Sequence, residues 1–262
     1  MRKKISDIKN QKGLEPLVCL TAYSYPMAQL LDEFCDILLV GDSVGMTIYG
    51  AKNTLSVSLE TMINHGRAVV KGSKQALIVV DMPFGSYENS KEQALENAMK
   101  ILQETNCDAV KLETASNMAD TVSFLVENNI NVMGHVGLMP QHVNEYGGYK
   151  YQGRDEKSAE IILNDAISIA EAGAFAIVIE GVTEKLASTI SKKLSIPTIG
   201  IGASVDCDGQ ILVIDDLLGL NQDFKPKFVK QYINLAEQIK SSVKQYQGEV
   251  KTRKFPAKEH CL

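Results

Sequence analysis

Ala174-Phe175-Ala176-Ile177-Val178-Ile179-Glu180 is an unbroken apolar run that ends on a carboxylate. No polar residue alternates through it, so the strand it predicts is buried on both faces, as in a parallel sheet. Upstream, Lys157–Ala172 spaces Ile161, Ile162, Ala166, Ile169 and Ala170 at helical intervals and runs into Gly173, a stop signal. Downstream, Thr183–Leu194 reads as another helix and Pro197–Ile201 as another buried strand. Helix, strand, helix, strand is the alternation of a parallel α/β fold.

The same alternation extends in both directions. Leu17–Thr21, Ile37–Val40, Ala76–Asp81, Ala109–Glu113, Asn131–His135 and Ile211–Ile214 are further short strand candidates, most of them rich in Val and Ile. Ser90–Thr105 carries Ala94, Leu95, Ala98, Met99, Ile101 and Leu102 at helical spacing, and Thr114–Asn128 reads as a helix too. Eight strands suffice to close a barrel, and 262 residues is near the usual size of one (β/α)8 barrel. An open doubly wound sheet is the rival. No linker or low-complexity tract interrupts the chain, which predicts a single TIM-barrel domain over 1–262. Phe224–Gln247 reads as one or two closing helices, and 248–262 as a charged tail.

Composition narrows the function. The chain is 45% hydrophobic and 23% charged, as soluble globular proteins are, and its net charge of −5 argues against broad attraction to nucleic acid or anionic membrane. No apolar run reaches the length of a membrane span. Met1-Arg2-Lys3-Lys4 is basic, but no apolar stretch follows it as in a secretory signal. Cys19, Cys35, Cys107, Cys207 and Cys261 are scattered, odd in number and without a Cys-x-x-Cys pair. Reduced thiols in a cytoplasm, mostly serving as small buried hydrophobes, are the expectation.

Polar residues recur where the strand candidates end: Thr21, Asp42-Ser43, Asp81, Glu113, His135, Glu180 and Gly200–Gly202. In a barrel those ends converge on one face, where catalytic groups sit. Asp42, Asp81 and Glu113 follow consecutive strands about 5 Å apart. Anions so crowded repel one another unless neutralised, and their oxygens suit a hard divalent cation such as Mg²⁺. The alternative is that they cap the following helices. Lys111 and Glu113 are two apart on one strand and share a face; Lys111 is a counter-charge for a carboxylate or enolate, a Schiff-base amine, or half of a core ion pair. Glu180 suits a general base, or a cap for the helix near Thr183. His135 either contacts substrate or metal-bound water, or is a satisfied core histidine. His65 in a helix, His142 in a loop and His260 in the tail read as bland. Gly200-Ile201-Gly202 lacks a third glycine at dinucleotide-binding spacing, and Walker A, Gly-x-Ser-x-Gly and His-Glu-x-x-His patterns are missing.

Taken together, the segments Leu20-Thr21-Ala22-Tyr23, Val40-Gly41-Asp42-Ser43-Val44-Gly45-Met46, Asp81-Met82-Pro83-Phe84, Val110-Lys111-Leu112-Glu113, Gly134-His135-Val136-Gly137-Leu138-Met139-Pro140-Gln141, Gly147-Gly148-Tyr149-Lys150-Tyr151-Gln152-Gly153-Arg154, Ile199-Gly200-Ile201-Gly202-Ala203 and Asp208-Gly209-Gln210 resemble the ketopantoate hydroxymethyltransferase family, from about Ile5 to Phe228. The resemblance implies a barrel of the phosphoenolpyruvate/pyruvate superfamily. It implies transfer of a one-carbon unit from 5,10-methylenetetrahydrofolate to the 2-oxo acid 3-methyl-2-oxobutanoate, giving 2-dehydropantoate on the way to pantothenate and coenzyme A. It further implies that Asp42, Asp81 and Glu113 bind Mg²⁺, that Asp42, Ser43, Asp81 and Lys111 contact the 2-oxo acid, that Glu180 accepts a proton, and that the protein is a homo-oligomer, a decamer. Two residues depart from the family pattern near the barrel mouth: Ser24 where many relatives have aspartate, and Ser204 where glycine is usual. Three rivals stand beside this reading: a carbon–carbon lyase or phosphomutase of the same superfamily, a Schiff-base aldolase using Lys111, and a non-catalytic barrel.

Overall fold

The computed structural model describes residues 2–114, 118–146, 148, 150–221 and 226–261. The barrel unit, Met1–Val213, contains α1 (Ile5–Lys9), β1 (Leu17–Thr21), α2 (Tyr25–Leu31), β2 (Ile37–Val40), α3 (Val44–Thr47), α4 (Leu59–Gly72), β3 (Leu77–Asp81), α5 (Lys91–Thr105), β4 (Ala109–Lys111), α6 (Ala119–Glu127), β5 (Val132–Gly137), α7 (Val143–Tyr146), α8 (Glu156–Glu171), β6 (Ala176–Glu180), α9 (Glu184–Lys193), β7 (Thr198–Ile201) and β8 (Gly209–Leu212). A 3-10 turn, Pro140–His142, precedes α7. A second compact unit, Ile214–Leu262, holds α10 (Ile214–Leu218) and α11 (Leu235–Lys251).

All eight strands run parallel and close in sequence order, β1 pairing with both β2 and β8. This is the (β/α)8 barrel, and closure excludes the open sheet. The strands β2 to β5 and β7 are buried throughout, which is why their sequences are continuously apolar rather than alternating. The helices start where short polar side chains cap them. Ser58, Ser90 and Asp155 accept hydrogen bonds from the backbone N–H of Thr61, Gln93 and Ser158. Asn106, at φ 58°, ends α5 in the left-handed conformation, and Gly173 does the same work after α8 at φ 98°.

Several boundaries differ from those read in the sequence. The last strand lies at Gly209–Leu212 rather than Ile211–Ile214. Its first two residues are glycine and glutamine, so an apolar run does not reveal it. A Cβ on Gly209 would stand 2.7 Å from both the Cβ and the carbonyl oxygen of Leu17, so the glycine is what lets β8 close against β1. His135 lies inside β5, which continues to Gly137, instead of ending it. The helix expected over Thr114–Asn128 occupies Ala119–Glu127 among the described residues; 115–117 lie outside them. In the second unit α11 runs through Gly248 to Lys251, past the point where the charged tail was expected to begin. One glycine costs a helix only about 1 kcal/mol relative to alanine. Phe224 of the expected closing helices lies outside the described residues.

Candidate active site

Each candidate acid stands where a strand gives out. Gly41 separates Asp42 from β2, Asp81 is the last residue of β3, Leu112 separates Glu113 from β4, and Glu180 ends β6. The ladder continues past β4: the N–H groups of Leu112 and Thr114 donate to the carbonyls of Met133 and His135. Lys111 and Glu113 therefore keep strand spacing and share one face, as expected. None of the four acids caps the helix after it. The caps of α3, α5 and α9 are Ser43, Ser90 and Thr183.

The acids are tied to one another instead. The backbone N–H of Asp42 donates to Asp81 Oδ2 at 3.0 Å. Asp81 and Lys111 are register partners on β3 and β4, and Lys111 Nζ lies 3.1 Å from Asp81 Oδ1, though without the alignment of a good hydrogen bond. On its other side Lys111 Nζ is 3.5 Å from His135 Nδ1. That contact makes Nδ1 the acceptor and puts the imidazole proton on Nε2, which stands 3.3 Å from Glu180 Oε2 without the alignment of a good hydrogen bond. Thr114 fixes the backbone of His135 from behind, its hydroxyl accepting from the His135 N–H and donating to the His135 carbonyl. A line of polar groups, Asp81, Lys111, His135 and Glu180, thus crosses four adjacent strands. Glu180 is its open end: its side chain is 17% exposed, against 2% for Glu113. Ser43 joins from the β2 loop, its hydroxyl 2.8 Å from that of Tyr23.

Burial governs the charges. It pushes the carboxyl of Asp42 above the usual carboxylate range, against the pull of the Lys111 ammonium. It pushes Asp81 up to about 7 against the same pull. Glu113 goes well above the ordinary range, first through burial and then through the charge of Asp42. Burial alone would strip the proton from Lys111, but Asp81, Asp42 and Glu113 outweigh it and hold the ammonium more firmly than in water. Burial and the Lys111 charge keep His135 neutral. Three buried carboxyls thus share one adjacent ammonium, and positive charge is short. Such an oxygen-rich, cation-poor donor set fits a hard divalent ion. Among the described residues no three acid, histidine or cysteine groups already stand as a ready-made ligand cluster. Lys111 and one amide side chain hold the acids.

That amide is Gln141, which sequence reasoning quoted in a motif but gave no role. Its backbone N–H donates to both oxygens of Glu113, at 3.2 and 3.1 Å, and its Nε2 donates to Asp42 Oδ2 at 2.8 Å and to the Met82 carbonyl at 3.1 Å. Tyr87, likewise missed, donates its hydroxyl to Gln141 Oε1 at 2.6 Å and accepts from the Glu113 N–H at 3.3 Å. A polar residue soon after an apolar strand was a signal for Gln141; Tyr87, in a loop, offered none.

The remaining histidines differ in interest. His65 is within α4, with Nδ1 2.5 Å from the Tyr23 carbonyl and Nε2 3.0 Å from the Tyr49 hydroxyl. His142 sits in the 3-10 turn beside Glu145. Ser24 caps α2 by accepting from the Met27 N–H, a role aspartate also fills. Ser204 donates to Glu184 and accepts from the Asp206 N–H, links a glycine could not make. Of the glycine-rich block before α8, Gly147 and Tyr149 lie outside the described residues. Cys19, Cys35, Cys107 and Cys207 are free and buried, and Cys261 is free and exposed.

Residues 2–258 match the family described as ketopantoate hydroxymethyltransferase. The chain is 57% identical to the 3-methyl-2-oxobutanoate hydroxymethyltransferase of Paramagnetospirillum magneticum over 256 residues, covering 98% of this chain and 93% of that one. It is 56% identical to the enzyme of the same name from Rhodospirillum rubrum, covering 100% and 95%. Among solved structures, a putative phosphonomutase from Burkholderia cenocepacia superposes with a TM-score of 0.68 at 13% identity, covering 94% of this chain and 100% of that one. At that identity the likeness is one of fold.

Proposed function

The chain belongs to the ketopantoate hydroxymethyltransferase family, and from that premise we propose how its site transfers a hydroxymethyl group to 3-methyl-2-oxobutanoate. The observation that carries the reading is the buried set Asp42, Asp81 and Glu113 around Lys111, joined through His135 to the more open Glu180.

The donor is 5,10-methylenetetrahydrofolate. Asp42, Asp81 and Glu113 would hold a divalent cation, Mg²⁺, which when bound would supply Lewis-acid stabilisation of negative charge on the 2-oxo oxygen. Lys111 provides a fixed positive charge for the substrate carboxylate and that same oxygen, with Asp42, Ser43 and Asp81 as further substrate contacts. Glu180 takes the proton from C3, and the electron pair of the broken C–H bond delocalises toward the 2-oxo oxygen. His135 keeps its Nε2 face toward Glu180 and orients that carboxylate. The C3 carbon then bonds to the donor's one-carbon unit. In the net reaction that methylene and the oxygen of one water become the hydroxymethyl group, and tetrahydrofolate departs. The product, 2-dehydropantoate, leads to pantothenate.

Two features support the setting. The four buried, unpaired thiols suit a reducing compartment such as the cytoplasm, and no helix of the described residues is long and apolar enough to cross a membrane. Leu14, Val18, Leu30 and Phe34 stand exposed on and beside β1 and α2, which supports a homo-oligomer, decameric as in the family.

The test is proton exchange. In D2O with Mg²⁺ the enzyme should wash out the C3 proton of 3-methyl-2-oxobutanoate, followed by NMR, and should form 2-dehydropantoate when methylenetetrahydrofolate is added. Glu180→Gln should stop the exchange while cation binding persists. Exchange that survives the substitution removes Glu180 from its role, and exchange unaffected by EDTA removes the cation.

A further inference from the structure

We infer that Gln141, its amide locked in orientation by Tyr87, is a positioning residue that decides which carboxylate oxygen of Asp42 faces the reacting centre, while its backbone sets the tilt of the Glu113 carboxylate. The inference rests on the reading above that these two acids hold a divalent cation.

The hydrogen-bond inventory of the Gln141 amide is full and one-directional. Both Nε2 hydrogens are committed, to Asp42 Oδ2 and to the Met82 carbonyl, and Oε1 takes the single hydroxyl proton of Tyr87. Tyr87 has no freedom to reverse this, because its oxygen already receives the Glu113 N–H. Rotating the amide by half a turn would bring Oε1 against a carboxylate and a carbonyl and leave the Tyr87 proton without an acceptor. Burial makes each of those mismatches costly. The orientation of the amide is therefore a property of the fold.

Its consequence reaches the acids. Asp42 has Oδ2 held at 2.8 Å, which directs its remaining lone pairs and Oδ1 elsewhere. Glu113 has both oxygens anchored by one backbone N–H, which fixes the tilt of its carboxylate plane. Gln141 does this from the turn after β5, its amide reaching the acid after β2 and its backbone N–H the acid after β4, so three strand ends are kept in register by one neutral residue. Neutrality matters. A cationic side chain in this place would satisfy the acids and displace the metal, and an anionic one would repel Asp42. Partners of this kind, which touch the ligands and not the ion, typically set metal affinity by about 10–100-fold.

The experiment uses the full-length enzyme and Mn²⁺ as the probe, titrated calorimetrically and by electron paramagnetic resonance. Tyr87→Phe keeps the ring and loses the hydroxyl; Gln141→Met keeps the volume and loses the amide. Both should weaken Mn²⁺ binding by about 10–100-fold. The KM for the 2-oxo acid should rise more than kcat falls, since Asp42 is still present but misaimed while the backbone N–H of Gln141 still holds Glu113. Gln141→Asn, which retains the amide on a shorter stem, should recover no more than part of the affinity. Thermal melting in EDTA reports whether each variant is folded, and if Gln141→Met does not fold, Tyr87→Phe decides. Mn²⁺ affinity within twofold of wild type in the folded variants overturns the inference and leaves the reading of the acids standing. Failure of the wild-type enzyme to bind Mn²⁺ at all overturns that reading, and the inference with it.

Discussion

A lysine that is to form a Schiff base must first lose its proton. Lys111 is held the other way: burial favours the free amine, but Asp81, Asp42 and Glu113 together keep the ammonium. Its environment suits a fixed cation rather than a nucleophile, which argues against the Schiff-base aldolase. Borohydride added with 3-methyl-2-oxobutanoate should leave the mass of the Lys111 peptide unchanged. Lys111→Met should lower kcat/KM by about 10²–10³-fold, the usual cost of removing one preorganised charge partner. A trapped adduct on Lys111 would reverse the assignment. At this scale the acids were legible in the sequence because each interrupts an apolar run, as Asp81 does after Leu77–Val80. Gln141 and Tyr87 were not, because a hydrogen bond between residues 54 apart leaves no periodic trace.

Strand spacing made β1, β2 and β6 readable to within two residues; in β2 and β6 burial on both faces admits little but apolar side chains, while β1 is an apolar run that leaves Val18 exposed. The strand β8 escaped because its opening residues serve closure rather than packing. Another glycine matters in the same way. Gly137 ends β5 at φ 97°, paired in register with Glu180, and a Cβ there would lie 2.3 Å from the Glu180 carbonyl oxygen. Gly137→Ala must push the end of β6 away. We expect kcat to fall by about 100-fold for a displacement on the order of 1 Å, with Mn²⁺ affinity little changed if the proposed ligands are Asp42, Asp81 and Glu113 without Glu180; unchanged kcat would show that β6 tolerates the shift. On α8, Asp165 is pushed up to about 6 by burial. Its folded-state value lies above the unfolded one, so folding is penalised at high pH, and the penalty is relieved as the pH falls from about 6 toward 4. Asp165→Asn should therefore raise Tm by about 2–4 °C at pH 8 and leave it unchanged at pH 4. An equal rise at both values would assign the effect to packing.

For the molecule as a whole, cation binding and folding are linked. A ligand at a hundred times its Kd stabilises the native state by about 2.7 kcal/mol, which for a chain of this size is about 5–10 °C in Tm. Melting in saturating Mg²⁺ against EDTA should show that rise, and Asp42→Asn should remove most of it; no rise in the wild type would sink the cation site. The closure of β8 on β1 has its own outcome. Leu17 pairs with Gly209, almost the whole barrel unit away along the chain. On the ribosome, β1 emerges early and then waits, its edge unpaired on that side, until the last strand is made. Loop-closure entropy delays the seam further. During that interval the nascent chain offers a strand template to its neighbours, so the β1 edge is where a stalled or crowded chain is exposed to mispairing until β8 is made.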